Sequence, residues 1–204
     1  MSWVVLGHQV LENDHVRLQP ISAGDREAMH AVAMDPEIWR YFVTLIETRA
    51  DFDEYFDACL DDDREGRRVV YVLTDKGSGR VAGSMSFGNL AEPAARLEIG
   101  WSWLGHDFRG AGLNRWAKLL LLEHAFDTMG AHRVEFKTDQ LNMRARSALR
   151  NIGATEEGTL RSFDFMPGGR RRDAVYYSIL AVEWPAIRQV LISQPKVEPA
   201  ISSI

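Results

Sequence analysis

Three groups of residues in this chain are of types, and at spacings, that do chemistry. The first is Arg109-Gly110-Ala111-Gly112-Leu113-Asn114, with two glycines between an alternating segment and a long apolar run. Glycines there let a ligand approach the main chain, and the opening turn of a helix leaves amide N–H groups unpaired. Such a loop favours an anion, most often a phosphate. A dinucleotide fingerprint would need a third glycine where Arg115 stands, and a P-loop would need Gly-Lys-Ser/Thr. The second group is two carboxylates. Glu98 lies on the small, polar side of an alternating segment that reaches Trp103, and Asp164 lies between Phe163 and Phe165. A carboxylate withdrawn from water favours its neutral form and becomes a stronger base. Each also has an ordinary use: Glu98 as an ion-pair partner of Arg96 or Lys137, and Asp164 as a partner of Arg161 or the Arg170–Arg172 cluster. The third group is Asn142 at the start of a short helix, with Ser147 further along it.

The elements that must position these residues follow from periodicity. Arg17–Pro20 reads as a first strand, after an opening segment to Asn13 that carries no signal. Asp25 caps a helix to about Ala33, broken at Asp35-Pro36 and resumed over Glu37–Tyr41. Phe52, Tyr55, Phe56, Cys59 and Leu60 recur at helical spacing, and Asp61-Asp62-Asp63 reads as a solvated helix end. Val69–Leu73 and Val81–Phe87 make a hairpin around Lys76–Gly79. Leu97, Ile99, Trp101 and Trp103 alternate with Glu98, Gly100 and Ser102, which predicts one bulky and one small face. A helix over Leu113–Met129, a strand at Val134–Lys137 and a helix over Asn142–Ile152 follow. A second hairpin joins Leu160–Phe165 to Val175–Leu180, and a last helix starts after Trp184-Pro185. This order predicts a mixed α/β (α+β) fold, a mostly antiparallel sheet of about seven strands with helices on both faces. A parallel crossover joins the strand ending near Leu104 to the one at Val134, which puts the glycine loop where open sheets bind ligands.

Composition narrows the function classes. With 204 residues, 46% of them hydrophobic, the chain supports a single domain over 1–194, with a loose tail over 195–204. A net charge of −5 argues against nucleic acid as a partner. The sole cysteine, Cys59, excludes an intramolecular disulfide, and the six histidines show no metal-ligand spacing, so no metal is expected. No leader pattern opens the chain, and its longest apolar run is far short of the roughly 20 residues a span needs. A cytoplasmic protein with no membrane association is expected.

The glycine loop, the flanking strands and Asn142-x-x-Ala145…Gly153-Ala154 together resemble the GNAT superfamily of acyl-CoA-dependent N-acyltransferases, and most closely its RimJ/RimL branch. The resemblance spans roughly Val16 to Glu183. The family's loop reads Arg/Gln-x-x-Gly-x-Gly/Ala, and only Asn114 departs from it, standing where a small residue is usual. The resemblance implies acetyl-CoA, or another short acyl-CoA, as co-substrate. Trp103, Leu104, Arg109 to Asn114, Asn142 and Ser147 would hold it. The implied acceptor is an amine, on a small molecule or a protein N-terminus, with Trp39, Tyr41, Phe42 and Trp101 lining its groove or, for the first three, simply packing the core. A homodimer is an arrangement open to such a chain. By register from Gly153, Asp164 falls on the branch's carboxylate position, which makes it the first candidate base, with Glu98 acting through water as the second. The family's usual acids are missing: a tyrosine seven residues after Asn142 is Leu149, and a serine three residues after it is Ala145. Ser147, Tyr176, Tyr177 or water remain to protonate the thiolate. These absences also leave open a non-catalytic acyl-CoA-binding module on the same fold.

Overall fold

Alternating segments pair into one sheet, and the intervening helices cover its two faces. The computed structural model describes residues 1–193; the tail over 195–204 lies outside the described residues. In chain order come helix α1 (Trp3–Gly7), strands β1 (Leu11–Glu12) and β2 (Val16–Pro20), and helices α2 (Arg26–Ala33), α3 (Pro36–Trp39) and α4 (Arg49–Arg64). Strands β3 (Arg68–Asp75), β4 (Val81–Ala91) and β5 (Arg96–Leu104) follow, then helix α5 (Leu113–Glu123), strand β6 (Arg133–Asp139) and helix α6 (Met143–Asn151). Strands β7 (Thr155–Phe165) and β8 (Arg171–Leu180) and helix α7 (Trp184–Ser193) complete the order. The sheet runs β1-β2-β3-β4-β5-β6-β8-β7, and β5 with β6 is its parallel pair.

The mixed, mostly antiparallel sheet is the one expected, with one strand more. That strand, β1, has two residues paired with Leu18 and Arg17, too short to show a period. The opening segment also has a structure that its sequence conceals. Ser2 caps α1, Trp3 is buried, and its indole N–H donates to the Met129 carbonyl at 2.7 Å. The aspartates at the end of α4 are not simply solvated. Asp62 pairs with Arg67 and Arg68, and Asp63 accepts from the Val70 amide at 2.9 Å. The helix expected over Leu113–Met129 is α5 followed by a π turn at His124–Thr128.

Two cores lie on opposite faces of the sheet. On one, α5 sets Ala117, Leu121 and Leu122 against Leu73, Phe87, Leu97, Ile99, Phe136 and Tyr177. On the other, α2, α3 and α4 set Met29, Trp39, Phe52 and Phe56 against Val70, Val72 and Trp103. Leu97, Ile99 and Trp103 therefore do not share a face, which corrects the single bulky face expected for β5. The cause is a β-bulge. Ser84 pairs with Trp103 and Ser86 with Gly100, so Met85 alone faces both Trp101 and Ser102. Trp101 takes up the surplus with φ at +50°, a conformation that a bulky residue adopts only when held. The Arg68 guanidinium, itself paired with Asp62, lies 4.8 Å from the Trp101 ring centre and holds it.

Beyond the bulge β5 parts from β6. The two pair over Arg96–Glu98 and Arg133–Glu135 only, although β5 runs on to Leu104 and β6 to Asp139. A fork opens between them, and the β5 edge beyond Glu98 is left without a β6 partner. The bulge is held close to β4: a methyl group at Gly83 would overlap the Trp103 carbonyl oxygen. Gly83→Ala should therefore destabilise the fold by about 1–3 kcal/mol in urea titration, the range for overpacking. A loss below about 0.5 kcal/mol, as at a surface site, would show that β4 and β5 separate freely there.

Candidate active site

The glycine loop lies at the mouth of the fork. Gly110 and Gly112 have φ of +79° and +80°, and Gly112 is the cap residue from which α5 starts. The amides of Arg115 and Trp116 turn back to the Gly112 carbonyl at 3.0 and 3.2 Å. Leu113 and Asn114 thus fall in the opening turn, where amides have no intrahelical acceptor. Arg109 does not present a free cation. Its Nη2 lies 2.9 Å from Asp35 Oδ2, and its Nε donates to the Leu104 carbonyl at 3.1 Å. Arg109 thereby ties the loop to the end of β5 and to the cap of α3, and main-chain groups are left to meet an anion.

Asn142 stands on the far side of the fork as the cap of α6. Its Oδ1 accepts from the Ala145 amide at 3.0 Å, so it starts the helix, and among the described residues no acceptor takes its NH2 group. Ser147 is exposed, and Leu149, at the family's usual acid position, is buried. Tyr177 is committed elsewhere: its hydroxyl donates to Glu156 at 2.6 Å and accepts from Arg146 at 3.2 Å.

Glu98 is the last β5 residue paired with β6, so it sits where the fork begins. It is 4% exposed and lies between two bulges, with Trp101 after it on β5 and Asn89 opposite on β4. Asn89 has φ of +48° and donates from Nδ2 to Glu98 Oε2 at 2.7 Å. A side chain at Gly100 would crowd Glu98 Oε1, so the small residue leaves room for the carboxylate. Burial pushes the Glu98 pKa up, against the lowering effects of Lys137 and the Asn89 hydrogen bond. Of the two ordinary partners considered for Glu98, Arg96 pairs with Glu135 at 3.3 Å instead, while Lys137 acts on Glu98 through its charge without a contact ion pair among the described residues. A cavity of about 580 Å³ opens over Glu98, with Asn89, Arg96, Glu135 and Tyr176 in its wall. Burial and then the Glu98 charge push the Tyr176 hydroxyl up as well.

Asp164 has different surroundings. Its carboxylate lies 2.8 Å from the buried Arg172, while Phe165 beside it is 72% exposed. The aromatic enclosure expected there does not form, because β7 is an edge strand that twice slips register against β8. The ordinary partner considered for Asp164 is thus the one it has, and in the same Arg170–Arg172 segment Arg170 pairs with the buried Asp139. Trp39 is a core residue, 1% exposed, whose indole N–H donates to the Ala33 carbonyl at 2.7 Å. It does not line a groove. Trp103 packs against it and donates to Tyr55 at 2.9 Å, whereas Tyr41, Phe42 and Trp101 stay partly open.

One buried charge was missed by sequence reasoning. Lys118 on α5 is 4% exposed and points into the fork, its Nζ 3.4 Å from Ser102 Oγ on β5 and 5.7 Å from the Phe136 ring centre on β6. Burial lowers its pKa to about 8. The signal was present as a lone lysine beside Leu119–Leu122 on a helix apolar nearly all round. Among the described residues no three His, Cys, Asp or Glu side chains converge as metal ligands.

Two outcomes test this geometry. Among the described residues the atoms near a methyl group at Gly112 would be those of Trp116, at 3.9 Å or more, so backbone conformation rather than space demands glycine. Gly112→Val should destabilise the fold by about 1–2 kcal/mol, the penalty for a left-handed residue, and abolish acetyl-CoA binding in calorimetry. Unchanged affinity would remove the anion-loop reading. For Glu98, a raised folded-state pKa means its stabilising contribution is complete below the ordinary carboxylate range and lost as pH rises through the raised value. Glu98→Gln should therefore melt higher than wild type near neutral pH, with the difference closing as pH falls to about 4. A variant that melts lower at neutral pH would show the charge to be stabilising.

Comparison with known proteins agrees with this geometry. A family model described as an acetyltransferase (GNAT) domain matches residues 15–155, which include the glycine loop, Glu98, Lys118 and Asn142. A Bacillus subtilis (strain 168) protein provisionally named as a ribosomal N-acetyltransferase, YdaF, is 26% identical over 181 residues, covering 84% of this chain and 94% of the relative. Spermidine N(1)-acetyltransferase of Escherichia coli (strain K12) is 23% identical over 172 residues, covering 84% and 89%. The crystal structure of a GCN5-related N-acetyltransferase from Brucella melitensis superposes with a TM-score of 0.85 at 25% identity, covering 91% of this chain and 85% of that one. A forked sheet with an amide-rich glycine loop at its mouth, matched by the family model over most of its length, makes this chain a member of the GNAT family of N-acetyltransferases.

Proposed function

We propose that the enzyme moves an acetyl group from acetyl-CoA to a primary amine, on a small molecule or a protein N-terminus, by direct attack while both are bound. The RimJ/RimL branch is the part of the family this reading favours. The observation that carries it is the placement of Glu98 at the start of the fork, under a cavity that the helices leave open. The residues present fit the donor. Amides of the 110–114 loop suit its pyrophosphate, the unpaired β5 edge suits an extended chain, and the Asn142 NH2 group is available to it. When bound, acetyl-CoA supplies an activated acyl group.

The chain's own residues do the rest. An incoming amine arrives largely as its ammonium, and the Glu98 carboxylate in the cavity wall suits that cation, since Glu135 there is already paired with Arg96 and Arg133. Glu98 takes its proton, since burial has made this carboxylate a stronger base. Direct attack is favoured over a cysteinyl route because Cys59 is fully buried beside Arg68, and burial pushes its thiol up.

General base catalysis contributes about 10²–10⁴-fold. Glu98→Gln should lose rate in that range in a CoA-release assay while keeping acetyl-CoA affinity, and the loss should shrink as pH rises and free amine becomes abundant. Asp164→Asn, which breaks the pair with Arg172, should retain most activity. The opposite pattern would make Asp164 the base. Thermal stabilisation by acetyl-CoA with no turnover on any amine or peptide would favour the non-catalytic binding module.

A further inference from the structure

Helix α5 carries a lysine where a leucine would pack. Lys118 has the Ser102 hydroxyl and the Phe136 ring as its neighbours in the fork, and neither titrates in the accessible range. No carboxylate among the described residues acts on it, because burial is the single cause that shifts it. A dry ammonium with no counter-ion is expensive to keep, and an apolar side chain would fill the position without that penalty. Its placement is specific. Helix α5 starts at the glycine loop and runs back along β5, so five residues from its start Lys118 lies level with Ser102, in the gap between the parted strands. The family's usual acid positions hold Leu149 and Ala145, which have no ionisable proton; of the other candidates, the Tyr177 hydroxyl is bound to Glu156, Ser147 is exposed, and Tyr176 faces the cavity over Glu98.

We propose that Lys118 is the proton donor to the departing CoA thiolate. This assignment rests on the acyl-transfer reading above. The amine nitrogen bonds to the acyl carbon, and the carbon–sulfur bond breaks with its electron pair going to sulfur. The acceptor's ammonium proton goes to Glu98 before attack, and the second proton that the nitrogen sheds on becoming an amide goes to water. One Nζ proton of Lys118 goes to sulfur, giving the free thiol, and the neutral lysine takes a proton back from water. Burial brings the lysine close to an ordinary thiol, about 8.5, which is the match that proton transfer needs. Glu98 and Lys118 enter the fork from opposite faces of the sheet, so base and acid do not neutralise each other.

Lys118→Met keeps the volume and removes the proton. Its melting temperature should equal or exceed that of wild type, because no ion is left buried. The first readout needs no turnover: the thiol of CoA is titrated in the binary complex by the ultraviolet absorbance of its thiolate. In wild type it should ionise at lower pH than in Lys118→Met, because the ammonium stabilises the anion. In acetyl transfer, Lys118→Met should lose kcat by about ten- to a hundredfold, less than the usual general-acid effect because a thiolate already leaves well. Acetyl-CoA affinity should be unchanged, and the decline in rate above about pH 8 should disappear. Lys118→Arg keeps the charge but holds its proton too tightly, and should be as slow. Coincident thiol titrations, full activity in Lys118→Met, or rescue by Lys118→Arg would each overturn the proton-donor role. Failure of wild type to bind CoA would instead overturn the donor reading on which this role rests.

Discussion

Strands β5 and β6 share three paired residues and then separate, and the geometry of the candidate site depends on that separation. One surplus residue on β5, opposite Met85 of β4, turns the strand away from its parallel neighbour and exchanges the faces to which its side chains point. Two residues pay for the arrangement with left-handed backbones, Asn89 and Trp101, and both flank Glu98. The strain is held by contacts on all sides: Asn89 by its hydrogen bond to Glu98, and Trp101 by Arg68, which Asp62 anchors in turn. A regular β5 would pair with β6 along its length and leave no slot for a ligand.

Charge is distributed to suit such a slot. Most ionisable groups around it are paired off: Arg109 with Asp35, Arg96 and Arg133 with Glu135, Arg172 with Asp164, and Arg170 with Asp139. Among the described residues Glu98 and Lys118 have no contact ion-pair partner, and both are 4% exposed. Burial drives each toward its neutral form, the carboxyl upward and the ammonium downward. An acid and a base whose environments move them toward neutrality are what proton traffic near neutral pH requires.

The scaffold around the slot is built from distant parts of the chain. Trp3 reaches the Met129 carbonyl and closes the first core under α5, while the aspartates that end α4 brace β3 and, through Arg68, the bulge. Trp39, Tyr55 and Trp103 pack as one aromatic group beneath the β4–β5 hairpin. These residues form the packed support beneath the site, and Trp39, an expected groove residue, lies within that core.

Local chemistry was legible in the residues themselves. The glycine loop, the helix that follows it, the cap at Asn142, the two hairpins and the parallel crossover all rest on short-range rules, because turn conformation and periodicity act over a few neighbours. What the alternation of Leu97, Ile99, Trp101 and Trp103 could not show was the bulge, since a surplus residue is defined only against the partner strand. The same limit applied to Asp164, whose register slips on an edge strand, and to Arg109, whose partner Asp35 lies far away in the chain. Asp164 was the first candidate of the two carboxylates and Glu98 the second, and burial separates them in the structure. Glu98 is enclosed and Asp164 is paired, and both enclosure and pairing arise only when separate strands meet.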